Sequence, residues 1–484
     1  MIAVKHKADF TEGKIFSKIV WFVLPIVLTN LLQAFYNAAD MMVVSLSDEA
    51  NAVGAVGTTG SYITLIVNIF MGFSIGANVV VARHIGEKNE KKTERSIHTA
   101  LVLALIFGLV GGAIGMAASR PILVAMGNRG NLLELAVTYT HFYFAGVPFL
   151  ALTNYLIAIF RAKGDSKTPL VVLASTGLLN VGLNFFFVVV FGMSVEGVAL
   201  ATAIANLASC IILLTILSKS KDCTAFSFKK LKIDRKELRA IIRIGVPSAI
   251  QQALFAISNM LIQSSIVTVN NNVCPPDSVY QPIVNGCAAG SNLTTFVYTA
   301  QNAVAQGAIT FASQNVGAEK PKRVYKVIGY CSLLVTAIGF TLGSFMYLCR
   351  EPLLALYGVK GGAAGSLESI AMSAASTQLK YVSIPYFLCG IMEIGSFTLR
   401  GLGRSVQSML ISLIGSCLLR VVWLLTVFPL KQTLEVIYIC YTITWILTSI
   451  VLFIWDFLLI SKLIKEKKQK DSLVENGETQ EQCA

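Results

Sequence analysis

In the stretch LPIVLTNLLQAFYNAADMMVVS, residues 24–45, four polar side chains recur at spacings of three, four and three: Asn30, Gln33, Asn37 and Asp40. At about 100° of rotation per helical residue they share one arc of about 80°, with apolar residues elsewhere. The run is otherwise oily, and an acid inside a membrane helix costs roughly 2.5–3.5 kcal/mol on insertion scales. Such a group faces a bundle interior or a water-filled cavity and marks an ion or proton path. Desolvation favours its protonated form, while its oxygens equally suit a hard cation. Hydrogen-bonded glue between helices is the competing reading of the amides, but packing alone gives no motive for an acid at this depth.

Further along the chain stand residues that could complete such a site. Asn180 and Asn184 are four apart and share a helical face, as do Thr202 and Asn206; Asn154 lies in another apolar run. A carboxylate among neutral oxygens and amides could take a proton or hold a sodium ion.

The elements that position these residues follow from composition. Hydrophobic residues make up 55% of 484 and charged residues 13%, with a mean hydropathy of +0.69. Soluble domains carry about 25% charged residues. About 20 apolar residues cross a bilayer as a helix. Twelve such segments are predicted, near 16–45, 52–82, 97–118, 134–160, 169–192, 197–217, 241–269, 290–313, 326–348, 373–399, 407–429 and 435–461. Most are too long for strands and lack alternation, which argues against a β-barrel. The first is too long for a signal peptide and has no small-residue cleavage site after it.

The formal net charge of +13 is not a nucleic-acid footprint. Lys and Arg concentrate in the tails and the even-numbered connections, with nine in 219–243; the odd-numbered connections carry only Arg120, Arg129, Arg350, Lys360 and Lys431. This bias places both termini in the cytoplasm and the basic runs against anionic lipid. The ten cysteines show no metal-ligand spacing. Cys274 and Cys287 share an outward loop and could form a disulfide or remain two unrelated thiols. Asn292-Leu-Thr matches a glycosylation acceptor, a pattern that also arises by chance.

The chain repeats itself at half-length. GANVVVARHIGEK (76–88) matches GAITFASQNVGAEK (307–320), LPIVLTNLLQAFYN (24–37) matches VPSAIQQALFAISN (246–259), and FRAKGD (160–165) matches LRGLGR (399–404). Six spans per repeat give both halves the same orientation, a parallel repeat. The predicted fold is an all-α membrane protein of twelve helices in two six-helix lobes. Its parts are a tail 1–15, an N-lobe 16–218, a basic linker 219–243, a C-lobe 244–463 and a tail 464–484. This is the plan of a transporter that binds cargo between rocking lobes near mid-membrane.

In LPIVLTNLLQAFYNAAD, in IGEK and VGAEK, and in RAKGD and LRGLGR, the chain resembles the multidrug and toxic-compound extrusion (MATE) family along nearly its whole length. The resemblance implies an antiporter in the plasma membrane that expels amphipathic, often cationic, compounds against an inward flow of protons or sodium, with no cofactor. It implies an N-lobe cation or proton site at Asp40, Asn154, Asn180, Asn184 and Thr202. Asn184 stands where related sequences often carry a second Asp, so the site has one carboxylate and the coupling ion stays open.

In the second half the stripe becomes Gln252, Phe255, Asn259 and Ile262, without an acid, and Phe255 and Cys389 occupy acidic positions of some family members. Glu393 is a further intramembrane acid, readable as a second proton site, a gate, or a structural partner of Arg420. Asp456, six residues before Lys462, is expected to pair with the cytoplasmic basic rim. Gln33, Tyr36, Asn37, Met41, Phe255 and Asn259 are the expected cavity walls, since promiscuous pockets use adaptable surfaces. Pro25, on the helix of Asp40, could bend it and so link protonation to cavity shape. No phosphate loop ending GK[ST] and no HExxH or GxSxG motif is present, against an ATP-driven pump or a membrane enzyme. The rival reading is a lipid-linked oligosaccharide flippase of the same superfamily. One chain holds both lobes, so a monomer suffices and no protein partner is implied.

Overall fold

The computed structural model describes residues 10–44, 46–47, 49, 52–126, 128–220, 222–274, 281–363 and 365–481. The helices are α1 (Ile15–Val44), α2 (Ala52–Gly86), α3 (Glu90–Ala125), α4 (Gly130–Ala162), α5 (Lys167–Phe185) and α6 (Val195–Ser218). There follow α7 (Arg235–Asn271), α8 (Pro282–Gly317), α9 (Pro321–Leu348), the short α10 (Arg350–Ala355), α11 (Leu367–Gln378) and α12 (Tyr386–Gly401). The last are α13 (Ser405–Ser412), α14 (Leu419–Thr426) and α15 (Leu434–Glu481). Wider π turns extend α5 (Phe186–Val190), extend α11 (Leu379–Ser383) and join α13 to α14 (Leu413–Leu418). Such turns open the i→i−4 ladder and concentrate at functional positions.

Ten of the described helical segments are long and apolar enough to cross a membrane. An eleventh is the pair Leu367–Ser383 and Tyr386–Gly401, bent by 42° where Pro385 interrupts the ladder. The remaining segment of the sequence reading, its eighth (290–313), is α8, 36 residues long but rich in Asn, Gln, Ser and Thr. It is the repeat counterpart of α2. The C-terminal tail expected from residue 464 is a continuation of α15 to Glu481.

The chain divides into two units, one of Met1–Asp9 and Val20–Ala253 and one of Phe10–Ile19 and Leu254–Ala484. The linker and the first turns of α7 therefore belong with the first unit. There Gly76 and Gly72 of α2 let the backbone of α7 approach at Ile241, Gly245 and Ala249. Ser227 donates its N–H to His98 Nε2 at 3.2 Å, and Lys230 pairs with Glu94 at 2.5 Å. Asp234 accepts the N–H of Lys236 at 2.8 Å; that amide and the Glu237 amide, more than Arg95, hold its carboxyl below the usual carboxylate range. In the second unit the segment before α1 packs on α8: Phe10 stacks on Phe311 with ring centroids 3.9 Å apart, and Asn315 donates to Phe10 O at 3.3 Å.

The repeat shows in the backbone. Lys88 and Glu319 each take φ of 54°, a left-handed angle rare outside glycine, at matching places after α2 and α8. Gly164 and Gly403 take 84° and 81° after α4 and α12. Both pairs close their helices with the wide bond that caps a left-handed end: Asn89 N to His84 O at 3.1 Å and Lys320 N to Asn315 O at 2.8 Å in the first, Asp165 N to Phe160 O and Arg404 N to Leu399 O, each 2.9 Å, in the second. Within the first unit the GLVGGAIG glycines serve packing: Gly108 and Gly112 meet the α4 backbone at Pro148 and Phe144.

Candidate cation and proton site

Asp40 lies in the last turns of α1 and is joined by a chain of hydrogen bonds to α5 and α6. Asn184 Nδ2 donates to Asp40 Oδ1 at 2.5 Å and reaches Asn180 Oδ1 at 3.4 Å. Asn180 Nδ2 donates to Thr202 Oγ1 at 3.3 Å, and Thr202 in turn donates to Val198 O at 3.0 Å. Asn184 is fully buried and Asn180 nearly so. The π turn begins two residues after Asn184.

Two polar atoms of this group have no hydrogen-bond partner: the carbonyl oxygen of Asn184 and the side-chain amide nitrogen of Asn154. A buried unpartnered oxygen beside a carboxylate is an acceptor with spare capacity, as a hard cation or a proton donor requires. Among the described residues no three His, Cys, Asp or Glu side chains converge. The structure thus brings Asp40, Asn180, Asn184 and Thr202 into one network, with an unpartnered Asn154 side chain on α4.

Sequence reasoning missed the phenols of Tyr139 and Tyr143 on α4, both within electrostatic reach of Asp40. Their i, i+4 spacing was a readable signal. Tyr36, expected as a cavity wall, instead fastens α1 to α5. Its hydroxyl donates to Ala174 O at 3.0 Å, and its ring fills the space a side chain at Gly177 would take. Met41 packs against the apolar cluster around Val43 and Ala55, and Phe255 against that around Ile262 and Val382. Gln33 and Asn259 are exposed; the Asn37 side chain lies outside the described residues. Pro25 sits inside α1, which runs unbroken from Ile15 to Val44, with Thr29 donating to Pro25 O at 2.7 Å.

The second unit holds its own polar cluster. Glu393 of α12 accepts from Asn302 Nδ2 of α8 at 2.8 Å, and Gln306 Nε2 donates to Asn302 Oδ1 at 2.5 Å. Tyr298, one turn before Asn302, lies within reach of the same carboxyl. Tyr298, Asn302 and Gln306 recur every fourth residue, a stripe visible in VYTAQNAVAQ. Arg420 is not the partner of Glu393: its guanidinium lies 4.2 Å from the Tyr441 ring centroid and its Nε donates to Thr444 at 3.4 Å.

One further expectation is corrected. Asp456 does not reach the basic rim: it is fully buried, neither carboxyl oxygen has a partner, and Lys462 pairs with Glu466 at 3.8 Å. Of the two readings open for Cys274 and Cys287, the structure has free, buried thiols. Helix α8 begins at Pro282, so Cys287 is not a loop residue but turns into the core beside Tyr438. Residues 275–280 between them lie outside the described residues.

The MatE family profile matches residues 25–186 and 247–425, well over half of the chain. The probable multidrug resistance protein YoeA of Bacillus subtilis (strain 168) is 26% identical over 401 residues, 81% of this chain and 82% of its own. The multidrug export protein MepA of Staphylococcus aureus (strain NCTC 8325 / PS 47) is 23% identical over 263 residues, 54% of this chain and 58% of its own. Among solved structures, an outward-facing multidrug resistance MATE transporter of the MOP superfamily superposes with a TM-score of 0.84. It shares 21% identity over 96% of this chain and 100% of that one.

Proposed function

This chain belongs to the MATE family, and we propose that it exports amphipathic organic cations by antiport with protons or sodium, Asp40 being the coupling group. The observation that carries this reading is the bonded series Asp40–Asn184–Asn180–Thr202, with the Asn184 oxygen left free beside the carboxyl. An acid held in that way can be neutral and protonated, or charged and attractive to a cation. Taking up the coupling ion cancels the charge that a cationic cargo would meet; losing it restores that charge. One carboxylate suits one proton or one weakly held sodium ion.

The group bonded to Asp40 is an amide, and the series behind it is an amide and a hydroxyl, not the basic side chains that a pyrophosphate-bearing lipid would call for, which favours a cation as cargo. The names of YoeA and MepA support multidrug efflux as the broad activity. The positive-inside bias supports a plasma-membrane orientation with both termini cytoplasmic. The test is transport by the purified protein in lipid vesicles, with proton and sodium gradients imposed separately and a fluorescent cation such as ethidium as cargo. At least one gradient should drive the dye. Failure with both gradients, alongside movement of a lipid-linked sugar, would replace the antiporter by the flippase.

A further inference from the structure

Asp456 is an acid that the Asp40 network does not use. It sits in α15, is fully buried, and has no hydrogen bond or ion pair to either oxygen. Its Oδ2 lies over Gly395 of α12, where a methyl group would stand 3.6 Å from it and 3.0 Å from the Leu452 Cβ. The missing side chain at 395 is what lets α12 and α15 close over the carboxyl.

Among the described residues, no charged or titratable group on the surrounding elements forms a hydrogen bond or ion pair with Asp456. On α12, Glu393 accepts from Asn302; Arg400 donates from Nη2 to Ser396 and its guanidinium lies 4.5 Å from the Phe397 ring centroid, its Nε and Nη1 being buried without a hydrogen-bond partner. Tyr325 of α9 bonds Phe457 O and Ser461; Arg420 of α14 stacks on Tyr441. Lys462 of α15 is about 9 Å further along the helix at 1.5 Å per residue. Lys380 of the π turn after α11 is exposed, and α13 carries no titratable side chain. An ionised carboxylate buried without a partner is so costly that the group takes up a proton instead.

We propose that Asp456 is a second proton-binding site, loaded in this conformation and emptied when α12 and α15 part enough for water to reach it. The chemistry is acid dissociation alone: the O–H bond of the carboxylic acid breaks, water accepts the proton, and the carboxylate remains hydrated. Reprotonation allows the two helices to close again over Gly395. The assignment rests on packing inside the second unit and stands whether or not Asp40 couples transport.

Infrared spectroscopy of the full-length protein in lipid vesicles tests it. The wild type at neutral pH should show a protonated-carboxyl C=O stretch that is lost in Asp456→Asn and kept in Glu393→Gln. Asp456→Glu should restore an acid band. The wild-type band should fade reversibly as pH is raised into the alkaline range. Independently, a hydrophobic carbodiimide, which attacks protonated carboxyls, should modify Asp456 in preference to the exposed Glu466. A wild-type spectrum without an Asp456-dependent acid band, a band that never titrates, or carbodiimide labelling that spares Asp456 would each overturn the proposal.

Discussion

The side-chain amide of Asn184 stands between Asp40 and Asn180, donating to the first at 2.5 Å and reaching the second at 3.4 Å. With its nitrogen so committed, the Asn184 oxygen is left without a donor. A neutral amide therefore orients the carboxyl while adding no second exchangeable charge. Replacing that nitrogen by carbon should leave Asp40 in place but unoriented.

The seat of α1 on α5 should be sensitive to a single methyl group. A Cβ at Gly177 would fall 1.9 Å from the Tyr36 ring. Gly177→Ala should therefore destabilise the protein by about 1–3 kcal/mol, the usual cost of overpacking. Thermal unfolding in detergent should show a lowered Tm, with much of it recovered in Tyr36→Ala/Gly177→Ala. An unchanged Tm in the single variant would contradict the contact.

Asn302 should hold Glu393 in the second unit. Asn302→Ala removes the donor to a buried carboxyl, which typically costs about 1–3 kcal/mol. The same unfolding assay should show that loss. Glu393→Gln combined with Asn302→Ala should lose less than the sum of the single changes, because the acid is then absent. Additive losses would mean the two do not interact.

Much of this was legible in the sequence, because a membrane restricts what the chain can do. Asp40 was found by its cost in an apolar run, and Asn180, Asn184 and Thr202 by helical spacing together with the family resemblance; all four meet in the structure. The repeat was legible too, down to Lys88 and Glu319 at the same φ. What failed turned on depth and on helix ends. Lys462 follows Asp456 by six residues, but at about 100° a residue it points from another face of the helix, exposed where Asp456 is fully buried, so proximity in sequence gave no contact. Cys287 read as a loop residue because the polar start of α8 hid the helix. The Asn302–Glu393 pair spans two elements 91 residues apart, and spacing within one helix cannot show which helix faces it.

The two thiols offer a direct chemical check. Unfolded protein alkylated without reductant should carry the label on both Cys274 and Cys287 in peptide mass spectrometry. A linked peptide joining the two would contradict the packing of Cys287 in the core.

The central claim is that Asp40 carries the coupling ion. Vesicle transport of a dye cation driven by an imposed ion gradient should be compared for the wild type, Asp40→Asn, Asn180→Ala, Asn184→Ala and Glu393→Gln, with Tm measured for each. Asp40→Asn keeps size and hydrogen bonding but fixes the group neutral, so gradient-driven efflux should vanish while the protein still folds. Asn180→Ala and Asn184→Ala should slow efflux without abolishing it. Full efflux in Asp40→Asn together with none in Glu393→Gln would place the coupling in the other unit and contradict the account.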